Sequence, residues 1–152
     1  MILSFILTVI TGVSSYNGVN NKIKNPTSIL TGTTWKVADD GVEPQTTDLE
    51  LSTSAAVFIA LSDPSLYTLQ SDGILKYTIF LPSLSEEVSL TGTWEISPDY
   101  KTLTLKKRDE SILLTYDIIG TKRTSFKLKR KCSKTELQTS SDVNVNITFV
   151  PL

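Results

Sequence analysis

Short stretches in which apolar and polar residues alternate constrain this chain more than any other feature. In residues 124–130 (TSFKLKR), Phe126 and Leu128 alternate with lysines, and residues 142–150 (DVNVNITFV) repeat the same pattern. A period of two residues is typical of a β-strand that buries one face and exposes the other. The chain is therefore expected to fold mainly as an antiparallel sheet with one solvated face.

Turn signals divide the chain into seven or eight such strands. Asp72-Gly73 lies between two alternating stretches, which is the strongest short-range signal for a β-hairpin. Asp39-Asp40-Gly41 and Gly120 are interpreted as the ends of two further strands. The predicted strands are Thr33–Ala38, Leu66–Ser71, Ile74–Phe80, Val88–Ile96, Thr102–Lys107, Ser111–Ile119, Thr124–Arg130 and Asp142–Val150.

One stretch departs from the strand pattern. Thr47–Ala60 (TDLELSTSAAVFIA) contains neither Gly nor Pro, and Asp63-Pro64 follows it. We expect a short helix here with Thr47 or Asp48 as its N-terminal cap.

A sheet of many short antiparallel strands must hide its edges, which it does by closing into a barrel or by forming a sandwich. Tight hairpins between consecutive strands favour an up-and-down barrel. The predicted fold is therefore all-β with a minor helical part: an antiparallel up-and-down β-barrel of about eight strands, with one short helix after the first strand. A barrel of this size has room for its own side chains or for one small ligand.

The composition excludes several kinds of active site. The 152 residues include no histidine and a single cysteine, Cys132. A Ser-His-Asp triad, a Cys-His pair, a His-ligated zinc site and an internal disulfide are therefore all impossible within this chain. No phosphate-binding loop or dinucleotide fingerprint occurs either. We expect a protein that is not an enzyme and that carries no cofactor or metal.

The first residues read MILSFILTVI and carry no charge before Lys22. This apolar stretch is too short to span a bilayer as a helix, but it fits the apolar region of a signal peptide. We expect residues 1–15 to be a signal peptide, 16–28 a polar tether and 29–152 the barrel domain. The protein would then be exported to the periplasm, to the outer surface or into the medium.

Two similar phrases each place a tryptophan at the start of a strand. Residues 30–37 read LTGTTWKV and residues 90–96 read LTGTWEI, and the two differ by one residue in the spacing before the tryptophan. The glycine allows a sharp bend, and the indole covers apolar area while its N–H bonds a carbonyl.

Together with LYTLQSDGILKY, LTGTWEISPDYKTLTL and TSFKLK, these phrases resemble the lipocalin-like domains of small secreted and lipid-anchored bacterial proteins, best known from the Bacteroidota. The resemblance covers roughly residues 30–130. The cysteine that lipid-anchored members carry directly after the apolar start is missing here. The resemblance implies a barrel of the lipocalin sort and the binding of a small apolar molecule.

For such a ligand inside the barrel, the predicted contacts are Trp35, Tyr67, Tyr77 and Trp94. Aromatic side chains that line a cavity are typical of small-molecule sites. The alternative is an interior filled by side chains, with the protein acting as a solid-core structural or protein-interaction module of the cell surface.

In that alternative, a partner would bind the lysine-rich strand. The basic residues here are Lys122, Arg123, Lys127, Lys129, Arg130, Lys131 and Lys134. They suit an anionic or protein partner, but no aromatic residue is interleaved with them, so no nucleic acid is expected. The same cations are expected to favour the Cys132 thiolate by lowering its pKa. We expect a monomer.

Overall fold

The computed structural model describes residues 26–152. The predicted signal peptide and residues 16–25 of the predicted tether lie outside this range. The last three tether residues, 26–28, belong to a first helix, Pro26–Leu30.

Eight antiparallel strands form a closed barrel in which each strand pairs with the next along the chain and the last pairs with the first. The prediction of an eight-stranded up-and-down barrel is therefore confirmed. In chain order, the elements are α1 (Pro26–Leu30), β1 (Thr34–Pro44), α2 (Leu49–Ser62), β2 (Leu66–Leu69), β3 (Ile74–Leu81), β4 (Glu86–Ile96), β5 (Thr102–Lys107), β6 (Ile112–Lys122), β7 (Ser125–Cys132), α3 (Lys134–Leu137) and β8 (Val143–Pro151).

Two strands continue through residues that the sequence predicts to be their ends. β1 runs past Asp39-Asp40-Gly41, and its pairing with β8 shifts register between Val37 and Val42. β6 likewise runs past Gly120, with a register shift against β7. These polar and glycine residues form bulges, which bend a strand without ending it.

The predicted helix is present as α2. Asp48 caps it, because its carboxylate accepts hydrogen bonds from the backbone N–H groups of Glu50 (3.0 Å) and Leu51 (3.1 Å). The helix ends where Asp63-Pro64 begins. It buries Ala55 and Ile59 against the end of the barrel that we call the mouth, where β1, β3, β5 and β7 end.

At the opposite end, which we call the base, each tryptophan of the repeated phrase fixes a chain segment. The indole N–H of Trp35 donates to the carbonyl of Leu30, at the end of α1, at 2.9 Å. The indole N–H of Trp94 donates to the carbonyl of Gln70, in the β2–β3 turn, also at 2.9 Å. Both bonds satisfy a polar group that burial would otherwise leave unpaired.

Aromatic rings and branched aliphatic side chains fill the interior. Trp35 packs edge-on against Phe126 with ring centroids 4.8 Å apart, and Phe126 stacks on Phe149 at the same distance. β8 contributes every second side chain, as its sequence pattern predicts: Val143, Val145, Ile147 and Phe149 are all buried.

Gly92 allows β4 and β5 to approach each other closely. A Cβ atom at this position would overlap the carbonyl oxygen of Lys106, whereas a Cβ on Gly120 would meet nothing within 4 Å. We therefore expect Gly92→Ala to lower the free energy of unfolding by about 1–3 kcal/mol, the usual cost of overpacking. The matched variant Gly120→Ala should stay within about 0.5 kcal/mol of the parent. Urea unfolding followed by Trp fluorescence measures both, and equal effects would contradict the argument.

Candidate functional site

The interior of the barrel is filled. The void between its two ends has a volume of about 10 Å³. That volume barely accommodates one water molecule. Its lining residues are Tyr67, Leu69, Leu103, Leu105, Tyr116, Phe126 and Leu128.

The four predicted ligand contacts do not meet around one cavity. Trp35 is packed in the core near the base, and Trp94 lies at the β2–β3 turn through its bond to Gln70. Tyr67 lines the small interior void, and Tyr77 lines a cleft on the outside of the barrel. Their role as ligand contacts stays a prediction.

A buried polar network joins the barrel to helix α2. The hydroxyl of Tyr67 donates to that of Tyr116 at 2.8 Å, and Tyr116 in turn donates to the Asp63 carboxylate at 2.8 Å. The other carboxylate oxygen of Asp63 forms an ion pair with the Arg130 guanidinium. Only 3% of the Asp63 side chain and 9% of the Arg130 side chain are exposed, so water hardly screens this pair.

Arg130 also binds the third helix. A second guanidinium nitrogen lies 2.9 Å from a carboxylate oxygen of Glu136, and the guanidinium carbon lies 5.2 Å from the ring centroid of Phe58. Glu136 and Ser133 form a capping box at the start of α3. One arginine on β7 therefore ties both helices of the mouth to the barrel wall.

The network holds its hydroxyl protons firmly. Burial raises the pKa of Tyr67 and of Tyr116 well above the usual range of a phenol. Burial acts to raise the pKa of Glu136 too, but the hydrogen bonds from Ser133 and the charge of Arg130 outweigh it, and that pKa is lowered. At neutral pH the tyrosines are therefore neutral donors and Glu136 is ionised, which suits a structural role.

Sequence reasoning placed Arg130 among the surface cations, and the structure corrects this. Arg130 shares the inward face of β7 with Phe126, Leu128 and Cys132. The two-residue period of the strand already predicts that Arg130 faces inward, because all four residues have even numbers and successive side chains alternate between the two faces. Asp63 was not predicted as a site residue, since a carboxylate at the end of a helix is usually solvated.

The lysines on the outward face of β7 are each paired with a carboxylate. Lys127 lies 3.6 Å from Glu43, Lys129 lies 3.2 Å from Asp117, and Lys131 lies 2.7 Å from Asp142. Cross-strand pairs of this kind offset the positive charge that an anionic partner would need.

The expectation that the neighbouring cations lower the pKa of Cys132 is wrong. The side chain is buried on the inward face of β7. Burial raises the pKa of the Cys132 thiol, and the charge of Arg130 only partly opposes that effect. The neighbouring lysines in the sequence point to the other face of the strand, so they do not stabilise a thiolate.

A groove lies between α2, the bulge of β1 and the start of β2. We call this groove, one of several on the described surface, the α2 groove, and its volume is about 440 Å³. The apolar walls come from Val37, Ala38, Val42, Ile59, Ala60, Pro64 and Leu66, and the polar residues are Lys36, Asp39, Asp63, Ser65 and Glu87. Volumes of this order are usual for small-molecule sites.

In the described part of the chain, residues 26–152, no three His, Cys, Asp or Glu side chains come close enough to hold a metal ion. None of its helices has the length and apolar character needed to cross a lipid bilayer.

Among solved structures, bovine odorant-binding protein in complex with its natural ligand is 14% identical to this chain, covering 82% of this chain and 72% of its own, with a TM-score of 0.45. The complex of bovine odorant-binding protein with undecanal is 14% identical to this chain and has a TM-score of 0.46. The match covers 85% of this chain and 74% of the odorant-binding protein. A protein from Bacteroides uniformis, solved by NMR, is 20% identical to this chain and has a TM-score of 0.43. The match covers 82% of this chain and 91% of the Bacteroides protein.

These lipocalin-type and bacterial structures agree with the resemblance inferred from the sequence. No protein-family model and no curated protein matches the chain. At such low identities and scores, the solved structures carry no argument about a ligand of this chain.

Arg130 should be the most sensitive charged position of the barrel. Arg130→Met leaves the buried Asp63 carboxylate without its partner, which typically costs about 3–5 kcal/mol of unfolding free energy. The matched variant Lys127→Met removes an exposed ion pair on the same strand and should cost no more than about 1 kcal/mol. Urea unfolding measures the free energy of unfolding of both variants. Equal decreases in that free energy would contradict the argument that the buried network stabilises the barrel more than the exposed ion pair does.

Cys132 should resist thiol reagents in the folded protein. We expect little reaction with 5,5′-dithiobis(2-nitrobenzoic acid) at pH 8 in buffer and rapid reaction in urea, because burial keeps the thiol protonated and inaccessible. The variant Ser140→Cys adds an exposed thiol as a control and should react at once. Rapid modification of Cys132 without denaturant would show that β7 opens readily.

Proposed function

We propose that this protein is a non-catalytic binding protein that takes a small apolar molecule in the α2 groove. The observation that carries the proposal is an apolar groove of about 440 Å³ beside a barrel whose interior is filled. The barrel then serves as a rigid scaffold, and the binding surface lies between the scaffold and its helix.

The lining of the groove suits this role. Val37, Val42 and Leu66 are only partly buried by the protein, and Ala60 is exposed, so an apolar ligand would remove further apolar surface from water. Each square ångström of apolar surface so removed contributes about 25 cal/mol.

The charges around the groove favour a neutral molecule over an anion. Asp39 and Glu87 contribute two carboxylates and Lys36 one cation. The carboxylate of Asp63 also faces the groove, but it is neutralised by Arg130. A ligand carboxylate would therefore meet more negative than positive charge.

A second candidate function is favoured by the filled interior itself. A solid core is what a structural or protein-interaction module needs, and the protein would then act only through its outer surface. The lysine-rich strand is a poor electrostatic surface for this purpose, because three of its lysines are already paired with carboxylates. For either function, we propose export on the basis of the apolar start of the chain.

The fluorescent probe N-phenyl-1-naphthylamine tests the binding proposal, because it is neutral, apolar and bright only out of water. We expect a saturable rise in fluorescence with the parent protein. Ala60→Trp fills the groove and should weaken binding by at least about tenfold, equivalent to 1.4 kcal/mol.

The matched control is Val57→Trp, which places the same side chain on the exposed face of α2 away from the groove. It should bind the probe as the parent does. Absence of any saturable signal would overturn the binding proposal and leave the interaction module. Equal binding by both variants would exclude the α2 groove as the site.

A further inference from the structure

The hairpin of β3 and β4 projects beyond the rest of the barrel wall. β2 begins at Leu66, which pairs with Thr78, and β5 ends at Lys107, which pairs with Gly92. Among the described residues, the first six of β4, Glu86–Thr91, pair with β3 alone. The backbone of these six residues on the side away from β3 is therefore an open edge.

The hydrogen bonds show which groups this open edge presents. Ser65 donates its backbone N–H to the carbonyl of Thr78 at 2.8 Å, so Thr78 bonds toward β2. Its partner on β4, Ser89, accordingly directs its N–H and carbonyl away from β3. Since the pattern repeats every second residue, Glu87 and Thr91 do the same.

Three large apolar side chains of the hairpin are exposed to solvent near the open edge. Phe80 is 39% exposed, Leu84 is 63% exposed and Leu90 is 37% exposed. Long edges with apolar side chains and unpaired backbone groups invite pairing with another strand. The hairpin carries neither a lysine nor a bulge between Thr78 and Thr91 that would discourage such pairing.

Beside the open edge is a cleft of about 400 Å³ that a further strand could enter. Tyr77, Ser89, Leu90 and Thr91 line one side of it. Lys107 at the end of β5, with Arg108 and Asp109 in the β5–β6 turn, lines the other. The open edge itself begins with two carboxylates, Glu86 and Glu87. Within residues 26–152, none of these four charged side chains forms a salt bridge: Glu86, Glu87, Lys107 and Arg108.

We propose that two copies of this chain associate by antiparallel pairing of their open edges. A two-fold axis at Val88 pairs Glu87 of each copy with Ser89 of the other, so that the outward N–H and carbonyl groups of both residues are satisfied. The same axis places Val88 of one copy opposite Val88 of the other. It also brings Glu86 of each copy to the cleft that holds Lys107 and Arg108 of the other.

The charge pattern selects a second copy as the occupant. Glu86 and Glu87 lie at the acidic end of the strand, and in the cleft Lys107 and Arg108 outnumber Asp109. The two-fold axis brings the acidic end of each copy to this cleft of the other. An unrelated strand would need its own carboxylates at the same spacing. The association shares Glu87 with the α2 groove but needs no ligand there, and it replaces the expectation of a monomer.

Sedimentation velocity of the full chain over a range of concentrations tests the association. We expect a reversible dimer with a dissociation constant between about 1 µM and 1 mM, the range of small transient interfaces. Ser89→Pro removes the outward N–H and keeps the pairing with β3, so it should abolish the dimer. Ser89→Ala keeps that N–H and should dimerise as the parent does.

Two further variants test the register and the charges. Val88→Cys should form a disulfide-linked dimer under mild oxidation, because directly opposed residues of a non-hydrogen-bonded pair lie about 4.5 Å apart at Cα. Lys76→Cys, on the same hairpin within the barrel wall, should not form one. Arg108→Glu should weaken the dimer at least tenfold, and the double variant Glu86→Lys, Arg108→Glu should restore it.

A parent protein that stays monomeric throughout the concentration range would overturn the proposal. A dimer that survives Ser89→Pro would also overturn it, because such a dimer would use another surface. Circular dichroism of Ser89→Pro distinguishes loss of the dimer from loss of the fold. If this variant is unfolded, the Val88→Cys cross-link decides: its absence would overturn the proposal.

Discussion

The buried ion pair between Asp63 and Arg130 is the interaction on which the mouth of the barrel depends. Asp63 lies at the end of α2, and Arg130 lies on the inward face of β7, so the pair ties the long β1–β2 connection to β7. Tyr116 binds the second carboxylate oxygen of Asp63 and Glu136 binds a second guanidinium nitrogen of Arg130, which offsets part of the cost of removing two charges from water. The position of α2 follows from this network, and so does the shape of the groove beside that helix.

A filled interior changes what a closed barrel can be used for. In a barrel of eight strands, the space inside is just large enough for side chains or for one small ligand, and here Trp35, Phe126 and Phe149 occupy it. Stability and recognition are then separated in space. The inward face of the sheet supplies the core, whereas binding depends on what the helices and the projecting hairpin present outside it.

The sequence predicted the strands, the Asp72-Gly73 hairpin and helix α2, because each depends on local patterns that survive in the folded state. It did not predict that Asp39-Asp40-Gly41 is a bulge, since the same residues also suit a turn. Cys132 was misjudged because its neighbours in the sequence are cations, although alternation directs them to the other face. Whether a cavity exists depends on whether the side chains from all eight strands together fill the volume inside the barrel. No local sequence pattern gives that total.

Closure of the barrel requires β1 to pair with β8, and these strands lie at opposite ends of the described chain. Of the eight strands, β8 is synthesised last, so a nascent chain that still lacks it has two unpaired margins, at β1 and at the most recent strand. Contacts so distant in sequence also form slowly after release. The newly made polypeptide therefore passes through a stage that is prone to aggregation, and a chaperone that shields its first strand would shorten that stage.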